Sequence, residues 1–450
     1  MKSRYATNRL DSLRAAADAR YQIAIRPIFG SMRLVISFAA LFLSALLIQL
    51  GSGALGPLDA LSGASLGWTA PQIGLLGSAH FAGFFIGCWA MPRLIGWSGH
   101  ARAFAAAASV GILGVILHPI LQGPVEWAAL RLLSGMSIAG CYTVIEAWMQ
   151  AKLEKKNRGR IYGIYRMVDL TGGICAQALI AVLTPAAYVS YNIVAIFCVL
   201  CLLPLALTRQ VPPSLDHPPV LAPIRAWKVS PLACFAIVMA GATGASFRMV
   251  GPVVGIEYDL SPDEIAAFLI AAVLGAAVAQ VPIGWMADKS DRRWVLNSLS
   301  GFAIIVCVIG ALFVEPGDAI GLVAVSAGFG MTSLTVYSVA AAHANDFCEE
   351  DFVVELNASL IFFFSAGAIA APLAASEIIA AAGASGLFWF IAGAHAVLIA
   401  FTVYRMTRRT ATPNTAYRYR PRTSMLGWPG RPDQNGKTPE DKSRDLEDTP

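Results

Sequence analysis

Charge is what this sequence has least of: only 14% of its 450 residues are Asp, Glu, Lys or Arg, against about 25% in a typical soluble domain. That shortage excludes the two or three soluble domains that the length alone would suggest. Short alternating strands are missing as well, which excludes a barrel built from ~10-residue segments of alternating polarity. No HExxH is present, no span carries paired carboxylates, and no nucleophile sits beside a base, so no enzyme chemistry is indicated. The net charge of +5 does not mark a nucleic-acid surface, because the basic residues fall in short loops between apolar runs. No metal or other cofactor is expected. Cys198 and Cys201 form a CxxC, but it lies in VAIFCVLCLLPLAL, without the polar surroundings of a redox or metal site. Near the C-terminus GKT, Gly436 to Thr438, has its preceding glycine misplaced and a proline following, so it is no phosphate-binding loop.

Apolar sequence is abundant, at 56% of residues. A membrane-spanning helix needs about 20 predominantly apolar residues. On that basis twelve spans are expected, near 34–55, 72–91, 103–122, 125–149, 161–183, 188–208, 229–255, 264–286, 294–314, 319–342, 356–382 and 386–405. Lys and Arg crowd into alternate loops: seven lie in the first 33 residues, five between Lys152 and Arg160, and ten from Arg405 onward. The loops of the opposite side hold none, so both termini are expected in the cytoplasm. The chain divides into a basic N-terminal segment (1–33), a six-helix block (34–208), a Pro-rich linker (209–228), a second six-helix block (229–405) and a polar tail (406–450) too poor in apolar residues to fold. The fold class is therefore an all-α membrane protein of twelve transmembrane helices in two bundles, in the inner membrane.

The two blocks align when Gly87 is placed on Gly284. After the second helix of the second block the chain reads PIGWMADKSDRR, with Gly284, Asp288, Lys289, Arg292 and Arg293. GxxxD, a cation and an arginine pair at this place resemble the signature loop of the major facilitator superfamily. RLLSG, Arg131 to Gly135, is similar to a signature on that family's fourth helix. PRLIGWSGHARAF, EAWMQAKLEKKNRGRIYGIYRMVDL and YSVAAAHAND resemble a bacterial subgroup of facilitators of the sugar or drug type. The resemblance covers residues 34–405. It implies secondary transport by alternating access, with a solute site near the middle of the membrane lined by the first, fourth, seventh and tenth helices. One departure stands out: Met91 occupies the place of Asp288 in the first block. The loop after the tenth helix is acidic (Asp346, Glu349, Glu350, Asp351, Glu355), which suggests a reversed latch. In that arrangement Arg93 and Arg102 would meet the acidic loop, while Asp288 meets Arg158 and Arg160.

Ionisable residues inside a span are costly and face a cavity or a partner. Arg131 on the fourth helix and Arg248 on the seventh are candidate solute ligands, two guanidinium forks suited to a carboxylate or phosphate, with snorkelling to the surface as the alternative for Arg248. Gln49, Tyr142 and Tyr337 complete the candidate site; Thr243, Ser246, Thr335 and Ser338 serve equally well as bonds between helices. Asp169, Glu146 and Arg166 form a candidate proton-coupling cluster, for which a static pair between Glu146 and Arg166 is the other reading. His80 and His395 read as packing residues. The expected function is proton-coupled transport of a small polar or amphipathic solute by a monomer in lipid. Drug efflux, or a sensor that has kept the fold without turnover, are the alternatives.

Overall fold

The computed structural model describes residues 38–152, 158–207, 221–349 and 352–408, and among these every regular element is helical. The expected basic N-terminal segment, most of the linker and nearly all of the tail lie outside the described residues. The first bundle contains α1 (Phe38–Ser65), α2 (Ala70–Ser98), α3 (His100–Leu117), α4 (Pro124–Lys152), α5 (Arg158–Leu179), α6 (Tyr188–Leu200) and α7 (Leu202–Ala206). A short helix, α8 (Pro223–Val229), ends the linker. The second bundle contains α9 (Pro231–Glu257), α10 (Pro262–Lys289), α11 (Arg292–Leu312), α12 (Ala319–Thr332), α13 (Val336–Asp346), α14 (Val353–Ala382) and α15 (Gly386–Arg408).

Eleven spans among the described residues are long and apolar enough to cross a membrane, with α6 and α7, and likewise α12 and α13, each pair counted as one span. The helix expected to be the remaining span, α5, has the length, at 22 residues, but carries Arg158, Arg160, Arg166 and Asp169. It packs against α10 of the other bundle, and Gly53 of α1 approaches its Ala176. Local signals set several starts. The Ser261 hydroxyl and the Glu264 carboxylate cap the N-terminus of α10 reciprocally, and Asp291 and Asp318 accept the first amides of α11 and α12. Prolines inside α2, α9, α10 and α14 do not end them. The helices continue through Pro252 and Pro372 because in a bundle neighbouring helices and local adjustment re-satisfy the freed carbonyls. The interruption falls instead at Ser333–Thr335, a single 3-10 turn between α12 and α13.

Small residues set the crossings. α2 packs on α4, α9 on α14 and α10 on α12. At the first crossing a methyl group on Gly83 would lie 1.9 Å from the Leu132 carbonyl oxygen, and one on Gly135 would lie 1.9 Å from that of His80. The bundles meet along α2 and α14 and along α5 and α10. Where α1 turns into α2 they share one continuous apolar core, joining Leu58, Leu61, Ile73 and Leu76 to Val250, Val253, Val254 and Ile379. Towards the linker end a smaller cluster, Cys88 and Ala139 with Ala358 and Ile361, joins the bundles, and beyond it each keeps its own core. The molecule is closed at the α1–α2 end. Gly83→Ala is expected to cost about 1–3 kcal/mol through overpacking. Gly96→Ala, with no atom within 4 Å of the added methyl, is expected to stay within about 0.5 kcal/mol. Denaturant unfolding of the two purified variants compares them, and equal stabilities would contradict the close crossing.

Candidate functional site

Two groups of charged and polar side chains lie within the membrane helices, and they differ in what they face. The first lies towards the space between the bundles. Tyr142 of α4 places its hydroxyl 2.7 Å from Gln49 Oε1 of α1 and 3.0 Å from Asp169 Oδ1 of α5. With one proton to donate, it serves one acceptor at a time. The other oxygen of Asp169 accepts from Arg166 Nη1, one turn away on the same helix. Gly172 makes this close approach possible: a methyl group there would lie 2.9 Å from the Gln49 Cβ.

Arg248 faces this group from α9. Its neighbours from Gly241 to Val250 are all buried, yet Arg248 itself is exposed. The first-bundle groups whose charge and polarity act on it are Asp169, Tyr142 and Arg166. Among the described residues it makes no hydrogen bond and no ion pair. Asp169 is already matched by Arg166, and Arg248 has no such partner among the described residues.

The second group is sealed inside the first bundle. Arg131 is only 4% exposed, and its Nε lies 3.5 Å from Asp59 Oδ2 of α1. Tyr191 of α6 donates to Asp59 Oδ1 at 3.0 Å, and His118, just past α3, holds Nε2 3.4 Å from Asp59 Oδ2. His118 stacks on Tyr191 and meets Trp127 edge to face. A cavity of about 30 Å³ beside Arg131 is lined by Ser52, Leu55, His80, Ser134 and Cys198, room for about two waters. Arg131 thus differs from Arg248 in its surroundings: a buried guanidinium needs a carboxylate, and Asp59 supplies it. Asp59 was missed because the first span was expected to end at Leu55, whereas α1 runs on through Pro57 to Ser65. The signal available was an arginine on the fourth span with no acid placed to meet it.

The remaining candidates are placed as follows. Tyr337 is 5% exposed and packs edge to face on Phe364 in the core of the second bundle, not at the cavity. Glu146 is 1% exposed, behind Tyr142 and beside Tyr165 and Cys88. Thr243 and Thr335 bond to carbonyls of their own chain one turn back. His395 sits in the core between the Ser333 and Ser300 hydroxyls, a packing role as expected.

The signature loop forms a third group, at the linker end. Arg292 is 1% exposed. It forks onto both oxygens of Asp346 on α13, at 2.7 and 3.3 Å, and lies 3.7 Å from Asp288 of α10. Arg293 forks onto Asp291. Burial pushes the Asp291 carboxyl up, but the hydrogen bonds and charge of Arg293 outweigh it and hold the group below its ordinary range. Gly284 is buried, and Lys289 lies over the Trp285 ring. Among the described residues, Arg93, Arg102 and Glu349 have partners other than those the reversed latch assigns them. Arg93 donates to the Trp89 carbonyl and covers its ring, Arg102 donates to the Ser98 carbonyl, and Glu349 of the acidic loop pairs with Arg225 of α8. The proposed partners of Asp288, the Arg158 and Arg160 side chains, lie outside the described part of the structure.

Removing one partner of a buried ion pair leaves an uncompensated charge. Arg131→Ala is therefore expected to lower stability by about 3–5 kcal/mol, and Arg248→Ala, which breaks no contact, to change it by less than about 0.5 kcal/mol. Denaturant titration in detergent measures both. Equal losses would contradict the division between a structural and a solute-facing arginine.

Known proteins agree with this architecture. A family model described as Major Facilitator Superfamily matches residues 41–244 and 233–429. An uncharacterized MFS-type transporter of Enterobacter sp. (strain 638) is 26% identical over 314 residues, covering 67% of this chain and 78% of the relative. The uncharacterized MFS-type transporter YcaD of Escherichia fergusonii is 24% identical over 306 residues, with 67% and 78% covered. Among solved structures the nucleoside transporter NupG superposes with a TM-score of 0.67 at 13% identity, covering 83% of this chain and 99% of that one. A bacterial homolog of the human lysosomal transporter Spinster, inward-facing and occupied, superposes with a TM-score of 0.62 at 14% identity, covering 83% and 96%. At such identities the superpositions establish the fold. The chain belongs to the major facilitator superfamily and is a multi-pass transporter of the inner membrane.

Proposed function

We propose that this transporter moves a small solute carrying a carboxylate or phosphate together with hydrogen-bonding groups, by alternating access of a site between its two bundles. The observation that carries the proposal is Arg248, an exposed guanidinium without a partner on an otherwise buried stretch of α9. It faces Gln49, Tyr142 and the Asp169–Arg166 pair. A planar guanidinium recognises an oxyanion with two parallel hydrogen bonds. Gln49 and Tyr142 offer the polar groups that would orient the rest of the solute.

The same proposal takes α5 as the twelfth span, sets both termini in the cytoplasm, and reads the shared core at the α1–α2 end as the closed outer gate. Coupling to protons is part of it, with Asp169 as carrier. Its carboxylate bridges Arg166 and Tyr142 across α4 and α5, so neutralising it would release both contacts and add to the positive charge that receives the solute.

Binding raises apparent stability by RT ln(1 + [L]/Kd), about 2.7 kcal/mol at a hundredfold excess over Kd. Thermal unfolding of the purified protein with a panel of organic anions, sugars and lipophilic cations is expected to show stabilisation by organic anions, abolished in Arg248→Ala and retained in Tyr337→Phe. Stabilisation by lipophilic cations alone, or an undiminished response in Arg248→Ala, would overturn the proposal in favour of drug efflux.

A further inference from the structure

The corner between α2 and α3 carries cations without acids. Between Asp59 and Glu126 the sequence has no acidic residue, and its only Lys or Arg residues are Arg93 and Arg102. Both are exposed, and among the described residues neither meets a carboxylate. Arg93 Nη1 donates to the Trp89 carbonyl at 2.7 Å, with its guanidinium 4.1 Å from the centre of the Trp89 ring, and Arg102 Nε donates to the Ser98 carbonyl at 2.7 Å. A guanidinium has several N–H donors, so most of each fork is left for another acceptor. Trp97, between the two arginines in the chain, is 85% exposed.

The corresponding corner of the second bundle is satisfied from within. In the register that places Gly87 on Gly284, Trp97 falls on Trp294, which is also exposed, but Met91 falls on Asp288. The arginines of that corner fork onto acids, Arg292 onto Asp346 and Arg293 onto Asp291. Arg93 and Arg102, whose counterparts are Ser290 and Leu299, have no such acids. We propose that the α2–α3 corner takes its anion from outside the chain, as a binding site for the headgroup of an anionic phospholipid. A guanidinium fork suits a phosphate, and tryptophan favours the headgroup level of a bilayer. Apolar surface runs from each arginine along a membrane-spanning helix: Ile86 and Trp89 share the exposed face of α2 with Arg93 and Trp97, and Leu113 and Ile116 are exposed at helical spacing from Arg102 on α3. Acyl chains cover such stripes. A free phosphate cannot, and neither can the acidic end of the polar tail, Glu440 to Asp448.

Fluorine NMR of the full-length protein, labelled at its ten tryptophans, reads the corner directly, and Trp97→Phe assigns the resonance. Titration with dioctanoyl phosphatidylglycerol is expected to shift the Trp97 signal to saturation, while equal concentrations of dioctanoyl phosphatidylcholine or of glycerol phosphate leave it in place. Each arginine near an anionic lipid surface contributes about a factor of five in binding. The double variant Arg93→Gln, Arg102→Gln is therefore expected to weaken the response about thirtyfold, and Arg408→Gln, which removes an exposed cation at the end of α15, to leave it unchanged. Signals of the other tryptophans that match the native protein confirm that the double variant is folded. A Trp97 signal that ignores phosphatidylglycerol, that follows phosphatidylcholine or glycerol phosphate equally, or that responds as strongly in the double variant would overturn the proposal. No solute enters the measurement, so this site and the Arg248 site can fail independently.

Discussion

A charge that cannot reach water must find its partner on another helix, and this requirement shapes the whole molecule. In lipid an unpaired arginine or aspartate costs several kcal/mol, so each buried ion defines which helices must stay together. In the first bundle Asp59, His118, Arg131 and Tyr191 tie α1, α3, α4 and α6 at the α1–α2 end. In the second bundle Asp288, Arg292 and Asp346 tie α10, α11 and α13 at the linker end. In the register that places Gly87 on Gly284, the counterparts of the second triad are Met91, Ile95 and Met149, all buried in one apolar cluster. The counterparts of Asp59, His118, Arg131 and Tyr191 are Ile256, Glu315, Gly328 and Phe388. Each bundle thus carries an ionic clasp, at opposite ends, that the register does not repeat in its partner. The missing acid at Met91 is one side of that exchange.

The surface between the bundles is built differently. There the contacts depend on shape: a methyl group on Gly77 would strike Met249, and one on Gly74 would strike the Ser376 hydroxyl and the Pro372 carbonyl oxygen. Contacts of this kind separate without stranding a charge, which suits the alternating access proposed above. Arg248 stands apart because its charge belongs to neither clasp.

Most of the fold was legible in the sequence because lipid allows so few solutions. Apolar run length located the eleven strongly apolar spans, and the Pro-rich linker located the division between bundles. Gln49, Tyr142, Asp169 and Arg166 were picked as polar residues inside spans, and the structure brings them together. Asp59 escaped notice because Gly56 and Pro57 look like the end of a span, although proline within a bundle helix need not end it. Arg131 was read as a ligand because its partner had been placed outside the membrane. Tyr337 was misjudged because a residue on a cavity-lining helix can still point into its own bundle, and sequence spacing does not say which.

The central claim is that each bundle moves as a rigid body held by its ionic clasp while only their relative tilt changes. Pulsed electron resonance between spin labels tests it directly, using exposed positions: Leu66 with Val189 within the first bundle, Leu66 with Ile320 across the closed end, and Trp97 with Trp294 across the linker end. On adding a stabilising solute, the first distance is predicted to stay fixed while the other two change in opposite directions. A Leu66–Val189 distance that shifts as much as the distances between bundles would contradict the account.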